Sequence, residues 1–224
     1  DSVASRGLGD VYKRQTIDNE LIVLDICSNN FFFFNEEETQ EILELTKAEL
    51  PVIPKHLSFL FEKSDTKFKI ISYIDIKGID NYSWSNVKHF RRETSTRVKF
   101  YDKFIIILLF IVFQVKKNSF LKFKIKTLRL LKKAQNKSSD TQVDYANSVA
   151  NYINKISKYL PFKLKCLEFS FILATFLSFK KINCTLYIGV QKYDFLSHAW
   201  VSIDNKVIGD YPYLSESLAI IFTL

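Results

Sequence analysis

The 224-residue chain has no methionine, five glycines, four prolines, three cysteines and three histidines. Cys27, Cys166 and Cys184 are odd in number and form no CxxC pair, so neither a disulfide framework nor a zinc site is expected. No GxxxxGK loop is present to cradle nucleotide phosphates, and no cofactor is evident. No internal repeat is found, which excludes a solenoid. The apolar run "FIIILLFIVF", residues 104–113, is closed by Lys103 and Lys116. A spanning helix needs about twenty apolar residues, so a buried core helix is expected there and no transmembrane segment. No apolar stretch of the secretory kind comes after the first basic residues, and a cytoplasmic location is expected.

The missing methionine also bears on the start of the chain. "DSVASRGLGDVYKRQ", residues 1–15, holds two of the five glycines and two arginines, whereas residues 16–224 are rich in Lys, Asn, Ile and Phe. The opening resembles translated adaptor read-through. Residues 1–15 are expected to be non-native and are set aside from fold reasoning.

What is abundant is apolar. The chain is 47% hydrophobic and 15% aromatic, with 21 Phe, enough for a packed core and too much for general disorder. Its length suits one ordinary domain or two small ones. The net charge of +8 is unevenly spread. Residues 98–137 carry eleven Lys or Arg against Asp102 alone, a local +10, so the rest is close to neutral. A solvated helical face is the expected reading, and an anionic partner is the other.

Periodicity divides the chain into an α+β arrangement. In residues 16–95, "NELIVLDI", "NNFFFFN" and "KFKIISYIDI" read as strands. "NEEETQEILEL" reads as a helix with Asn35 as N-cap and acids in its first turn. Gly78 and the polar residues to about Thr96 mark a boundary. Residues 96–140 form a basic, apolar helical connector that ends in "NKSSD". In residues 141–224, Val143, Ala146, Val149, Ile153, Ile156 and Leu160 recur at three and four, an amphipathic helix ended by Pro161. "CLEFSFILATFLSF" is long enough for a buried helix, and "CTLYIGV", "HAWVSID" and "KVIGD" read as strands, the last two joined at Asp204–Asn205.

The last third carries the chemistry. A cysteine nucleophile works as a thiolate, which a helix N-terminus or nearby cations favour. Cys166 opens a predicted helix, with Lys163 and Lys165 just before it. Most free cysteines are simply small buried hydrophobes, and taken alone Cys166 fits that description too. A nucleophile also needs a base and a group that orients the base. His198 opens one strand and Asp210 lies on the next. Nucleophile on a helix, base on a strand and orienter on the strand after it is the papain-like order.

The hairpin imposes a condition on that set. In a strict two-residue turn at Asp204–Asn205, Ile203 faces Lys206, His198 opposes Tyr211 and Asp210 opposes Ala199. Successive residues alternate faces, so Asp210 would point away from His198. A one-residue irregularity is required, by a longer loop or a bulge, and Gly209 is its natural place.

"CLEFSFILATFL" and "YIGVQKYDFLSHAWVSIDNKVIGDYP" resemble the C-terminal protease domain of lasso peptide biosynthesis B proteins, the microcin-processing type within the transglutaminase-like, papain-related cysteine peptidases. The likeness rests on Cys166, Leu167 and Ser170, on Ile188, Gly189 and Val190, on Phe195, His198, Trp200 and Val201, and on Val207, Ile208 and Asp210. It covers about the last sixty residues. Many relatives have Asn where this chain has Gly209, and Gly where it has Asn205. The family's catalytic groups fall on Cys166, His198 and Asp210.

"IDNELIVLDICSNNFFFFNEEETQEILEL" resembles the small winged-helix leader-recognition element fused to, or partnered with, such peptidases. The fold class implied is α+β: a winged-helix-like unit, a helical middle, and a papain- or transglutaminase-like domain whose Cys-bearing helix packs on an antiparallel sheet. The implied activity is removal of the leader from a lasso peptide precursor. The leader would add as an edge strand. The implied partners are that precursor and an ATP-dependent macrocyclase, and ATP dependence of processing is implied in some relatives. Gln191 is an oxyanion-hole candidate by residue type only, with a solvated loop glutamine the expected reading, and the backbone N–H of Cys166 is a candidate by position. Two other readings stay open. One is a transglutaminase-like acyl transferase, and the other a non-enzymatic basic adaptor that uses residues 98–137 on a membrane or nucleic acid.

Overall fold

The computed structural model describes residues 12–26, 28–48, 52–61, 70–74, 76–79, 93–115, 120–131, 139–161, 163–192 and 194–224. The chain forms two compact units, residues 1–76 and 77–224.

The first unit is a four-stranded sheet of order β3-β2-β1-β4. Its strands are β1 (Tyr12–Ile17), β2 (Glu20–Asp25), β3 (Asn30–Phe33) and β4 (Ile71–Tyr73). β1 and β2 pair antiparallel through a two-residue turn, Asp18 and Asn19, both with positive φ. Asx residues tolerate that conformation and the twist it imposes suits a hairpin. β4 joins β1 in parallel. Helix α1 (Glu36–Lys47) starts as expected at Asn35. The Asn35 side chain accepts the Glu38 N–H, and the Glu38 carboxylate accepts the Asn35 N–H, so two orphan amides of the first turn are satisfied. Leu21 and Val23 of β2 pack with Ile42 of α1 and with Leu57 and Leu60, the last from α2 (Ser58–Phe61).

Residues 12–15, set aside at the sequence level, lie in β1 and pair with β2 in register. Arg14 is buried and donates to the Leu60 carbonyl. Gln15 is fully buried, and neither end of its amide has a partner among the described residues. An unmatched buried amide costs about 1–3 kcal/mol. Gln15→Leu is therefore expected to stabilise this unit by about that amount, read as slower hydrogen exchange at the amides shared by β1 and β2.

The second unit begins at residue 77, beside Gly78, where the boundary region of the sequence opens. The Gly78 N–H bonds to the Ser217 carbonyl, and the Ile79 N–H bonds to Gln191 Oε1. These bonds fasten residues 77–79 to the C-terminal part of the chain. Residues 96–140 are not a connector. Helices α3 (Phe100–Val115) and α4 (Phe120–Leu131) pack against α6 (Cys166–Phe179) inside this unit. The core helix expected at residues 104–113 is buried on one side only. Ile106, Phe110 and Phe113 are buried, while Phe104, Ile107, Leu108 and Ile111 are exposed. No helix among the described residues is long and apolar enough to cross a membrane.

At the centre stands α6, buried from Phe169 to Ser178. A helix apolar on all sides must be covered on all sides. α3, α4 and α5 (Asp140–Ser157) contact it, as does an antiparallel sheet of order β7-β6-β5-β8. These strands are β5 (Thr185–Gln191), β6 (Leu196–Ile203), β7 (Lys206–Val207) and β8 (Ala219–Thr223), and a short α7 (Leu214–Ser217) precedes β8. The helix that begins at Cys166 thus lies against the strand that carries His198.

Candidate active site

Cys166 is the first residue of α6. The Glu168 carboxylate accepts the Lys165 N–H at 2.8 Å, which fixes where the helix begins. Lys165 is extended and Cys166 helical, so the thiol sits at the positive end of the helix dipole. Cys166 is partly exposed, whereas Cys184 is buried. One turn on, Ser170 is fully buried and its Oγ donates to the Ala199 carbonyl at 2.8 Å. That bond ties the Cys166 helix to β6 beside His198.

His198 lies on β6 opposite Gly189 and is 1% exposed. Its Nε2 lies 2.6 Å from Asp210 Oδ2. The other carboxylate oxygen of Asp210 accepts the Tyr211 N–H at 2.8 Å. With Nε2 engaged by Asp210, Nδ1 is the nitrogen left for the thiol. Burial alone would push the Cys166 thiol up. It is outweighed by the hydrogen bond and charge of His198 and by the backbone N–H groups of Ala199 and Leu167, so the thiol is held below its ordinary value. Burial likewise works against a charged His198. The Asp210 and Cys166 partners outweigh it and raise the imidazole to about 9. Thiol, imidazole and carboxylate thus form a set that favours a thiolate–imidazolium pair.

The hairpin solves its register problem in a specific way. The turn is the strict two-residue kind, with Asp204 and Asn205 both at positive φ and Ile203 opposite Lys206. Regular pairing ends at Val207, and one further bond joins the Ile208 N–H to the Val201 carbonyl. Gly209 then takes φ +66 and breaks the alternation, so Asp210 reaches His198. The irregularity falls at the residue expected from the sequence, without a longer loop.

Helix α5 supplies the seat. Asn147 Oδ1 accepts the Gly209 N–H at 3.1 Å, while its Nδ2 donates to the Val143 carbonyl. A Cβ built on Gly209 would lie 2.5 Å from the Ala150 Cβ. Sequence reasoning misses Asn147 and Ala150. The available signal is the polar pair Asn147 and Ser148 set between the apolar positions Ala146 and Val149 of the amphipathic helix. Behind His198, Trp200 is buried and its ring lies nearly parallel to the imidazole, with centroids 6.3 Å apart. Gly189 makes room for it, since a Cβ there would come within 2.8 Å of the indole.

Gln191 is used elsewhere. Its Oε1 accepts the Ile79 N–H at 2.7 Å, and its Nε2 donates to the Ile79 and Asp194 carbonyls, each at 3.3 Å. Both ends of the amide therefore hold backbone, and the residue type that suggested an oxyanion role serves to fasten residue 79. Among the described residues no cluster of His, Cys, Asp and Glu could hold a metal ion.

Residues 110–223 match the family model for the transglutaminase-like superfamily. That span includes Cys166, His198 and Asp210. Searches of curated proteins and of solved structures give no significant match.

Proposed function

Since the chain belongs to the transglutaminase-like superfamily, we propose that it is a cysteine peptidase that removes the leader from a lasso peptide precursor. The observation that carries this reading is the His198–Asp210 bond at 2.6 Å beside a thiol that His198 holds below its ordinary value. In the mechanism, Cys166 Sγ attacks the scissile carbonyl and forms a C–S bond. The backbone N–H of Cys166, which as a first-turn amide has no intrahelical acceptor, donates to the oxyanion. His198 gives its proton to the leaving amine as the C–N bond breaks. Water, deprotonated by His198, then attacks the thioester and frees the thiolate. Asp210 keeps the imidazole oriented and its cation stabilised.

The reading extends to the first unit, whose strand β3 lies at one edge of its sheet. An extended leader added to that edge would gain backbone hydrogen bonds. The resemblance in the last sixty residues supports a lasso precursor as substrate and an ATP-dependent macrocyclase as partner. Incubation with a short precursor encoded beside this gene, followed by mass spectrometry, tests the reading. Leader and core with masses summing to precursor plus one water support it. Membership of the superfamily also admits acyl transfer to an amine, and an amine adduct in the same experiment would establish that activity instead.

The electrostatics set a pH dependence. The pair is competent only while Cys166 is ionised and His198 is protonated. The acid limb of kcat/KM should therefore fall below the ordinary thiol range, and the alkaline limb near pH 9, where His198 loses its proton. A single rise through the ordinary thiol range, with no alkaline fall, would contradict the pairing.

A further inference from the structure

The second unit contains a cavity of about 710 Å³ that includes none of Cys166, His198 and Asp210. Its walls are α5, the start of α3 and the segment that leads into α3. Four cations line it: Arg97, Lys103, Lys155 and Lys158. None of the four forms an ion pair among the described residues. Lys103 lies 5.6 Å from the centroid of the Tyr152 ring, which also lines the cavity.

Asp102 and Asp144, acids of α3 and α5 beside the cavity, already have partners, while Glu93 stands exposed at the head of the wall segment. Asp144 of α5 accepts the Thr96 N–H at 2.9 Å and the Ser95 hydroxyl at 2.8 Å. It therefore clamps the wall onto the helix, and it forms no ion pair with the lysines among the described residues. Asp102 of α3 accepts from Lys180 at 3.1 Å and from the Tyr145 hydroxyl at 2.5 Å. Ser148 completes the clamp, with its hydroxyl bonded to the Thr96 carbonyl at 2.7 Å. A second observation points to a ligand. Asn154 lines the cavity and is only 7% exposed, yet its side-chain amide makes no hydrogen bond among the described residues. The Asn154 amide is not sealed from solvent, so water or a ligand in the cavity can reach it and complete its hydrogen bonds.

We propose that this cavity binds a small, multiply charged oxyanion of the phosphate class, held by Arg97, Lys103, Lys155 and Lys158 and by the Asn154 amide. Like charges gathered around a concave pocket add up to a positive potential in the space between them. Three ammonium groups and one guanidinium suit a compact ligand with several negative charges, and the planar guanidinium can bond two oxygens at once. An acidic peptide of equal charge would spread its carboxylates along a groove, and a nucleic acid would need a continuous open surface. Four cations gathered around one bounded, half-open pocket favour the compact anion.

Titration calorimetry with inorganic tripolyphosphate at low ionic strength tests the proposal. One-to-one binding that weakens with added salt is expected. Binding should weaken about tenfold or more in Lys155→Ala/Lys158→Ala, a loss of about 1.4 kcal/mol or more. Both lysines are exposed, so the fold should be retained. A circular dichroism melt checks this, and exposed Arg97→Ala should show a loss in the same direction if the double variant misfolds. Absence of tripolyphosphate binding would overturn the proposal, as would binding unchanged in the variants. Equal or tighter binding of hexaglutamate or of a short RNA would overturn the phosphate assignment. The readout is binding alone, so it stands apart from any outcome of the cleavage experiment.

Discussion

Cys166→Ala is expected to abolish cleavage of the precursor peptide and to leave the fold unchanged. Only the sulfur is lost, at a partly exposed position in the first turn of α6, and Ala is a good helix former there. Loss of a nucleophile from a Cys–His or Ser–His set costs on the order of 10⁵- to 10⁶-fold in kcat, because no other group can form the covalent intermediate. Mass spectrometry of a single-turnover reaction reads the effect, and a circular dichroism melt reads the fold. Cys184→Ala supplies the contrast. Cys184 is buried, with its sulfur 3.8 Å from the Ala174 carbonyl. Its loss should lower stability through packing and leave the rate unchanged. Equal loss of activity in both variants would remove Cys166 from its proposed role.

The second large effect is expected at Gly209, which touches no substrate in the proposed mechanism. Two independent requirements meet there. Its φ is +66, and an added Cβ would lie 2.5 Å from the Ala150 Cβ. A β-branched residue violates both. Gly209→Val should cost about 1–2 kcal/mol for the left-handed backbone and about 1–3 kcal/mol for the forced packing. Any shift of the chain at residue 209 moves Asp210 off His198 and leaves the buried imidazole without its orienting carboxylate. A displacement of about 1 Å costs about 100-fold in rate, and loss of the orienting group up to about 10⁴-fold. The two requirements can be separated. Gly209→Asn relieves the backbone strain, since Asn tolerates positive φ, but keeps the clash with Ala150. Adding Ala150→Gly removes the clash. The double variant should therefore recover activity relative to Gly209→Asn, despite about 1 kcal/mol lost by a glycine within α5. Equal rates in the two would mean that contact with Ala150 does not position Asp210.

The candidate site is legible in the sequence where local chemistry determines local structure. The start of α6 follows from Lys165, Cys166 and Glu168, a helix start written in nearby residues. The demand for an irregularity near Gly209 follows from strand alternation alone, because two-residue periodicity cannot place His198 and Asp210 on one face of a strict hairpin. The first turn of α1 is readable for the same reason, through Asn35 and Glu38. The illegible parts depend on residues distant in the chain. Asn147 and Ala150 lie some sixty residues before Gly209, and nothing local to α5 says what it seats. Gly78 marks a boundary in the sequence, but only Gln191 and Ser217, from the far end of the chain, fasten residues 78 and 79 to the second unit. At 104–113, hydrophobicity gives a helix its length but not the number of sides that its neighbours cover, so half of that run is exposed against expectation.

The central claim is that Cys166 is an activated thiolate paired with His198, and alkylation measures this without knowledge of the substrate. The intact protein is treated with iodoacetamide across a pH series, and modification at Cys166 is followed by peptide mapping. Cys166 is expected to react at pH values below the ordinary thiol range, while buried Cys184 stays protected. In His198→Ala its reactivity should move up to that of an ordinary thiol, near pH 8.5. A Cys166 that already titrates near pH 8.5 in the unaltered protein, or whose profile is unmoved by His198→Ala, would contradict the account.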